Sequence, residues 1–190
     1  MKMNELPKRK TIRLQGYDYS RNGCYFVTVC VKRYSVKNKH EILGEIVNRK
    51  STDIPGEYVG DAHPGVPHTP KMILSEYGLI ADEYIKNIEK YYAGIYIDKY
   101  VIMPNHIHMI IINKNEMISP GTPGCASPTK SVLAKIINAY KTLTTKQIGF
   151  PIWQRSYHDR IIRDEDEYRR TWRYIDDNPA RWADDEYYNK

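Results

Sequence analysis

Two histidines one residue apart are the first place in this chain where chemistry could happen. In Met103-Pro104-Asn105-His106-Ile107-His108, followed at once by Met109-Ile110-Ile111-Ile112, they head a strongly β-prone run. Side chains of an extended strand alternate faces, so His106 and His108 point the same way and Ile107 the other. Two imidazoles side by side are a ready pair of metal ligands. The pattern also suits two histidines hydrogen-bonded to backbone or to each other, and spacing does not choose between the two.

A second pair stands near the C-terminal end. Tyr174 and Asn178 are four residues apart, which puts both on one face of a helix. A phenol ionises only near about pH 10, so it is a poor nucleophile unless nearby charge stabilises the phenolate. A divalent cation held by His106, His108 and the Asn178 amide oxygen would polarise a phosphodiester and stabilise charge developing in the transition state. That neutral donor set fits Mg²⁺ or Mn²⁺, and the imidazoles also admit Zn²⁺. Taken alone, Asn178-Pro179 is simply a helix stop, and spacing cannot show that this helix meets the histidine strand.

The elements that must position these groups are legible in outline. Tyr25 to Val31 is β-branched and aromatic behind an Arg21-Asn22-Gly23 turn, and reads as a strand. Ile42 to Val47 and Met72 to Leu74 read as a hairpin around an insertion at 49–70 rich in proline and glycine. Tyr77, Ile80, Ala81, Tyr84, Ile88 and Tyr91 recur at helical spacing behind a Ser75 cap, and Gly94 ends that helix. Strands Ile95 to Met103 and Ile107 to Asn113 follow, broken at Pro104-Asn105.

After a second Gly/Pro/Ser stretch at 119–128, a helix over 130–147 carries the stripe Leu133, Ile136, Ile137, Tyr140 and Leu143. Lys130, Lys135, Lys141 and Lys146 lie largely off it. The last helix opens at Asp164 with Glu167 three residues on, buries Tyr168, Thr171, Trp172 and Ile175, and is stopped by Pro179. This order predicts an α+β fold: a single antiparallel sheet with packed helices, in one domain spanning 1–190.

Composition sets bounds. The 190 residues hold 29 Lys and Arg against 23 Asp and Glu, a net charge of +6, and the excess loads the N-terminal arm. Such an arm is either solvated or a phosphate contact. Three cysteines cannot all pair and none lies in a CxxC, which argues for a reducing compartment and against a zinc ribbon. No leader-like start or membrane-length apolar run is visible, so a cytoplasmic protein is expected. Seventeen tyrosines against two phenylalanines suit amphipathic packing and stacking on unpaired bases, but they mean that no tyrosine is a nucleophile by identity alone.

Several segments together resemble a known family. Met103 to His108 is similar to the histidine–hydrophobic–histidine (HUH) motif of single-strand DNA endonucleases, and most of all to that of the REP-associated tyrosine transposases. Arg13-Leu14-Gln15-Gly16-Tyr17-Asp18-Tyr19 with Gly23-Cys24-Tyr25-Phe26-Val27-Thr28 resembles that family's N-terminus. Ile152 to Arg163 resembles its tryptophan–glutamine segment, and Tyr174-Ile175-Asp176-Asp177-Asn178-Pro179 its tyrosine-x-x-x-asparagine-proline end.

The resemblance implies a ferredoxin-like HUH fold in which His106, His108 and Asn178 ligate a divalent metal. Tyr174 would attack the scissile phosphate, leaving a 5′-phosphotyrosine and a free 3′-OH. The implied substrate is single-stranded DNA beside hairpins such as REP-like palindromes, handled by a monomer or homodimer. Arg9, Arg13, Lys135, Arg155 and Arg163 are candidate DNA contacts. Tyr157 and Tyr168 are rival tyrosines without an amide four residues on. A domesticated relative that binds palindromes without cutting is the alternative. A two-histidine phosphoesterase would need a second HxT or HxS motif, which the chain lacks.

Overall fold

Alternation along two adjacent strands gives this protein a sheet with two different faces. The structure is a computed structural model and describes residues 22–32, 41–48, 70–114 and 131–188. In chain order the elements are β1 (Gly23–Cys30), β2 (Gly44–Asn48), β3 (Pro70–Leu74), α1 (Glu76–Tyr91), β4 (Ile95–Ile102), β5 (His106–Asn113), α2 (Val132–Ile148), β6 (His158–Ile162) and α3 (Glu165–Asp177), with a 3₁₀ segment over Asn178–Asp184. Among the described residues, four strands form an antiparallel sheet ordered β4-β5-β1-β6, and β2 pairs with β3 in a separate ribbon. The α+β antiparallel fold is as expected, with the hairpin standing apart from the main sheet.

One face carries Tyr25, Val27 and Val29 of β1 with Ile107, Met109 and Ile111 of β5, and α1 and α2 cover it with Ala81, Ile85, Leu133, Ile136 and Ile137. This is the main core. The other face carries Phe26 and Ile110, covered by Ile175 and Tyr168 of α3. A bulge in β4 between Ile97 and Lys99 lets both faces survive. It restarts the alternation, so Tyr100 and Ile102 turn to the main core while Lys99 and Val101 share the α3 side. The Tyr100 hydroxyl donates to Asp82 of α1 at 2.6 Å, tying helix to strand.

The caps form where the sequence places them. Ser75 accepts from Gly78 N at 3.1 Å and Asp164 from Glu167 N at 2.7 Å. Glu167 returns its carboxylate to Arg163 N, one residue before the cap. Gly78 also lets the hairpin sit close, because a Cβ there would run into the Leu43 carbonyl.

Several expectations change. Lys141 is buried inside the α2 stripe, while Leu143 is exposed, as are Tyr91 on α1 and Trp172 on α3, whose ring lies under the Lys99 ammonium instead of in the core. The Lys141 ammonium donates to the carbonyls of Gln154 and Ser156 at 3.1 and 2.8 Å. The segment Ile152–Gln154 extends the edge of β1, with Lys32 N donating to Ile152 O and Gln154 N to Cys30 O. Trp153 donates to Thr144 of α2 at 2.7 Å. Strand β6 has no counterpart in the sequence reading, since His158-Asp159-Arg160 looks polar at an edge position. Finally, α3 ends at Asp177, just ahead of the Asn178-Pro179 stop, but the chain coils on as a 3₁₀ segment. Asn178 is helical at φ −56° and ψ −44°, and Pro179 enters the 3₁₀ segment near its start, where a missing N–H costs nothing.

Candidate active site

The α3 face of the sheet brings the two sequence pairs together. Antiparallel register sets Cys30 opposite His106 and Thr28 opposite His108, so both histidines rise from the centre of the sheet. Each is almost wholly buried. Their Nε2 atoms face each other at 3.0 Å. Tyr174, carried over them by α3, places its hydroxyl 3.2 Å from His108 Nε2 and keeps 37% of its surface exposed. Phe26 stacks on the His108 ring at a centroid distance of 5.1 Å and meets Tyr174 edge-on at 6.0 Å.

The turn after the 3₁₀ segment closes the site from below. Asp185 Oδ2 lies 4.0 Å from His106 Nε2. Its carboxylate accepts from Tyr187 N at 2.7 Å and from Asn178 Nδ2 at 3.3 Å. The Tyr187 ring packs against His106 at 4.5 Å between centroids. Beside these groups a cavity of about 480 Å³ opens, lined among others by Phe26, Arg160, Tyr174, Arg181 and Glu186.

Protonation follows from burial. Desolvation pulls His108 down to about 3, so its imidazole is neutral at ordinary pH and has a lone pair to give. Burial raises the Tyr174 phenol and Asp185 raises it further, while a hydrogen bond from Asn178 and the charge of Arg181 pull it back. Burial also raises Asp185, opposed by its bonds to the Tyr187 backbone and Asn178.

A divalent ion fits this donor set. His106, His108 and Asp185 each offer a ligand atom, all within 4.8 Å of one another. Asn178 Oδ1 is buried and has no hydrogen-bond partner, the condition of an acceptor that awaits a cation or a ligand. Two imidazoles and a carboxylate are a familiar set for divalent first-row metals.

Asp185 escaped the sequence reading, as did Arg160, Arg181 and Phe26. Of the proposed DNA contacts, Lys135 is exposed on α2, on the opposite side of the sheet from the histidines, and Arg155 and Arg163 are exposed at either end of the segment holding β6. Arg9 and Arg13 lie outside the described residues, with the second loop (119–128) and all but Pro70 of the first (49–70). His158 stands beside Thr28 at the sheet edge. The rival Tyr168 donates to Asp98, and Tyr157 packs with the main core.

No family model matches the chain. A protein of Haemophilus influenzae, described only as uncharacterised, is 30% identical over 197 residues, covering 95% of this chain and 93% of its own. The chain belongs to that protein's family. Among solved structures, a REP-associated tyrosine transposase bound to a REP hairpin superposes with a TM-score of 0.53 at 18% identity, over 90% of this chain and 73% of the other. The chain therefore shares that transposase's fold, and its own antiparallel sheet carries helices on both faces. Among the described residues no helix is long and apolar enough to cross a membrane.

Proposed function

We propose that this protein is a metal-dependent single-stranded DNA endonuclease and strand transferase with Tyr174 as its nucleophile. The observation that carries the reading is the Tyr174 hydroxyl 3.2 Å from His108 Nε2, at the edge of a buried donor cluster and open to a cavity. A phenol raised by burial is a poor nucleophile without a cation beside it, and the donor cluster provides a place for one. His106, His108 and Asp185, with Asn178 Oδ1 alongside, would hold Mg²⁺ or Mn²⁺. When bound, the ion would supply Lewis-acid polarisation of the phosphodiester.

The chain's own groups do the rest. Tyr174 Oη attacks phosphorus, the P–O3′ bond breaks, and the products are a 5′-phosphotyrosine and a free 3′-OH. Phe26 holds the Tyr174 and His108 rings in place from the sheet. Arg160 and Arg181 offer guanidinium donors for an entering phosphate, beside the carboxylates of Asp184, Asp185 and Glu186 that also line the cavity. The substrate class, DNA beside a hairpin such as a REP-like palindrome, is suggested by the motifs at 103–108 and 174–179 and by the hairpin bound to the transposase of the same fold. One chain brings all these residues together, so the site can work in a monomer, and a homodimer is compatible with it.

The test is a single-stranded hairpin oligonucleotide incubated with Mg²⁺ or Mn²⁺ and then denatured. A protein–DNA adduct mapped to the Tyr174 peptide, absent in Tyr174→Phe and in chelator, is expected. Tight hairpin binding without an adduct under any metal would replace this reading with that of a non-cutting binder of palindromes.

A further inference from the structure

We propose that Asn105 is a positioning residue that fixes the tautomer of His106, an inference that rests on the metal-binding reading of the site. The Asn105 side chain is 1% exposed and has two polar neighbours of opposite character. Its Nδ2 lies 2.7 Å from the Tyr187 carbonyl oxygen, which can only accept. That contact orients the carboxamide and leaves Oδ1 facing His106 Nδ1 at 2.9 Å. An amide oxygen cannot donate, so the His106 proton must sit on Nδ1. His106 Nε2 is then a bare lone pair, directed at His108 Nε2 and Asp185.

His108 is held differently. Its Nδ1 lies 2.8 Å from the Thr28 hydroxyl, which can donate or accept by rotating its proton. His108 can therefore carry its proton on Nε2, shared with His106, and move it to Nδ1 when a cation takes its place. Asn105 permits His106 no such choice. One histidine is preset as a ligand and the other adapts to occupancy. Asn105 also links His106 to Asp185 through Tyr187, whose carbonyl takes the Asn105 amide and whose N–H reaches the carboxylate. The ligand from the sheet and the ligand from the last turn are thereby held in one hydrogen-bonded circuit.

Long-range ¹H–¹⁵N correlation spectra of the imidazole rings in the metal-free protein test this, alongside Co²⁺ titrations followed by visible absorption. The wild type should show His106 with its proton on Nδ1, and an Nε2 proton there would overturn the proposal. Asn105→Leu should admit the Nε2–H tautomer and weaken Co²⁺ binding by roughly 10- to 100-fold. A folded leucine variant with wild-type spectrum and affinity would also overturn it.

Asn105→Asp keeps an acceptor for Nδ1–H but loses the donor to Tyr187. It should retain the tautomer and bind Co²⁺ more tightly than the leucine variant. If the leucine variant does not fold, the wild-type and aspartate spectra decide, and loss of the Nδ1 proton in the aspartate variant would count against the proposal. Failure of the wild type to bind Co²⁺ would sink the metal-site reading instead, and the tautomer assignment would still be judged on the spectrum.

Discussion

His106 and His108 turn their Nε2 atoms to within 3.0 Å of each other on the sheet face that carries Tyr174. Neighbouring strand positions of like parity would ordinarily hold two imidazoles parallel and apart. Here Asn105 and Thr28 each take the Nδ1 side of one ring, so the far nitrogens converge. The convergence makes the site measurable in several independent ways.

Removal of the Tyr174 hydroxyl separates chemistry from folding. Tyr174→Phe should lower covalent adduct formation by at least about a thousandfold, the scale on which nucleophile deletions act. Its partly exposed ring loses one hydrogen bond, so thermal stability should change by about 1 kcal/mol or less. A calorimetric scan with an adduct gel checks both, and residual adduct at wild-type level would rule Tyr174 out as nucleophile.

Metal binding should stabilise the fold, because the ligands come from β5 and from the turn after the 3₁₀ segment. At a concentration of a hundred times Kd, an ion bound only by the folded chain adds about 2.7 kcal/mol. In a domain of this size that raises Tm by roughly 5–10 °C. Chelator should reverse the shift, and a Tm indifferent to Mn²⁺, Mg²⁺ and Zn²⁺ would argue against the site.

Asp185 is the proposed ligand that the sequence motifs did not single out. Asp185→Asn keeps the hydrogen bond from Tyr187 N and removes the negative charge. Divalent-ion affinity should fall by about 10- to 100-fold, judged by isothermal titration. An unchanged affinity would assign the third position to Asn178 alone.

Asn178 Oδ1 is a buried acceptor without a partner. Such a group costs about 1–3 kcal/mol in the metal-free protein, so Asn178→Ala should destabilise the apo form little, despite losing the bond to Asp185. The same change should shrink the metal-induced rise in Tm. Chemical denaturation with and without Mn²⁺ compares the two, and an equal loss in both states would make Asn178 purely structural.

Lys141 gives the stability of the fold a pH signature of its own. Burial pulls its ammonium from an ordinary value of 10.5 to about 8, with the nearby Cys30 opposing weakly. Between those values the unfolded chain binds a proton that the folded chain does not, so this group's contribution to stability rises with pH across the window. The Cys30 thiol, raised to about 11 by burial, works in the opposite direction above its ordinary value. Comparison with Lys141→Met isolates the lysine: wild type should gain on the variant between pH 8 and 10.5, and parallel curves would refute the assignment.

Much of the fold was readable because it rests on local periodicity. The alternation of Tyr25, Val27 and Val29 marks β1, and Ser75 and Asp164 mark helix starts through hydrogen bonds made within three residues. Strand β6 was not readable, since Arg160 faces the cavity and His158 is exposed at the sheet edge, so neither joins an apolar alternation. The role of Lys141 was hidden for a related reason. A lysine beside an apolar stripe normally points to water, and only the carbonyls of Gln154 and Ser156, brought over by the extension of β1, make its burial tolerable.

The residue types and spacing determined by themselves that His106 and His108 share a face, that Tyr174 and Asn178 share another, and that both belong to an α+β chain. Those facts follow from the 2.0 and 3.6 periods of strand and helix. Tertiary structure alone decided that the two faces meet, because register between β1 and β5 and the packing of α3 on Ile110 are long-range contacts with no local trace. It also decided that Asp185 joins them. Beyond the end of α3 the chain continues as a 3₁₀ segment, and the turn after it carries an acidic residue from the C-terminal end back to the histidines.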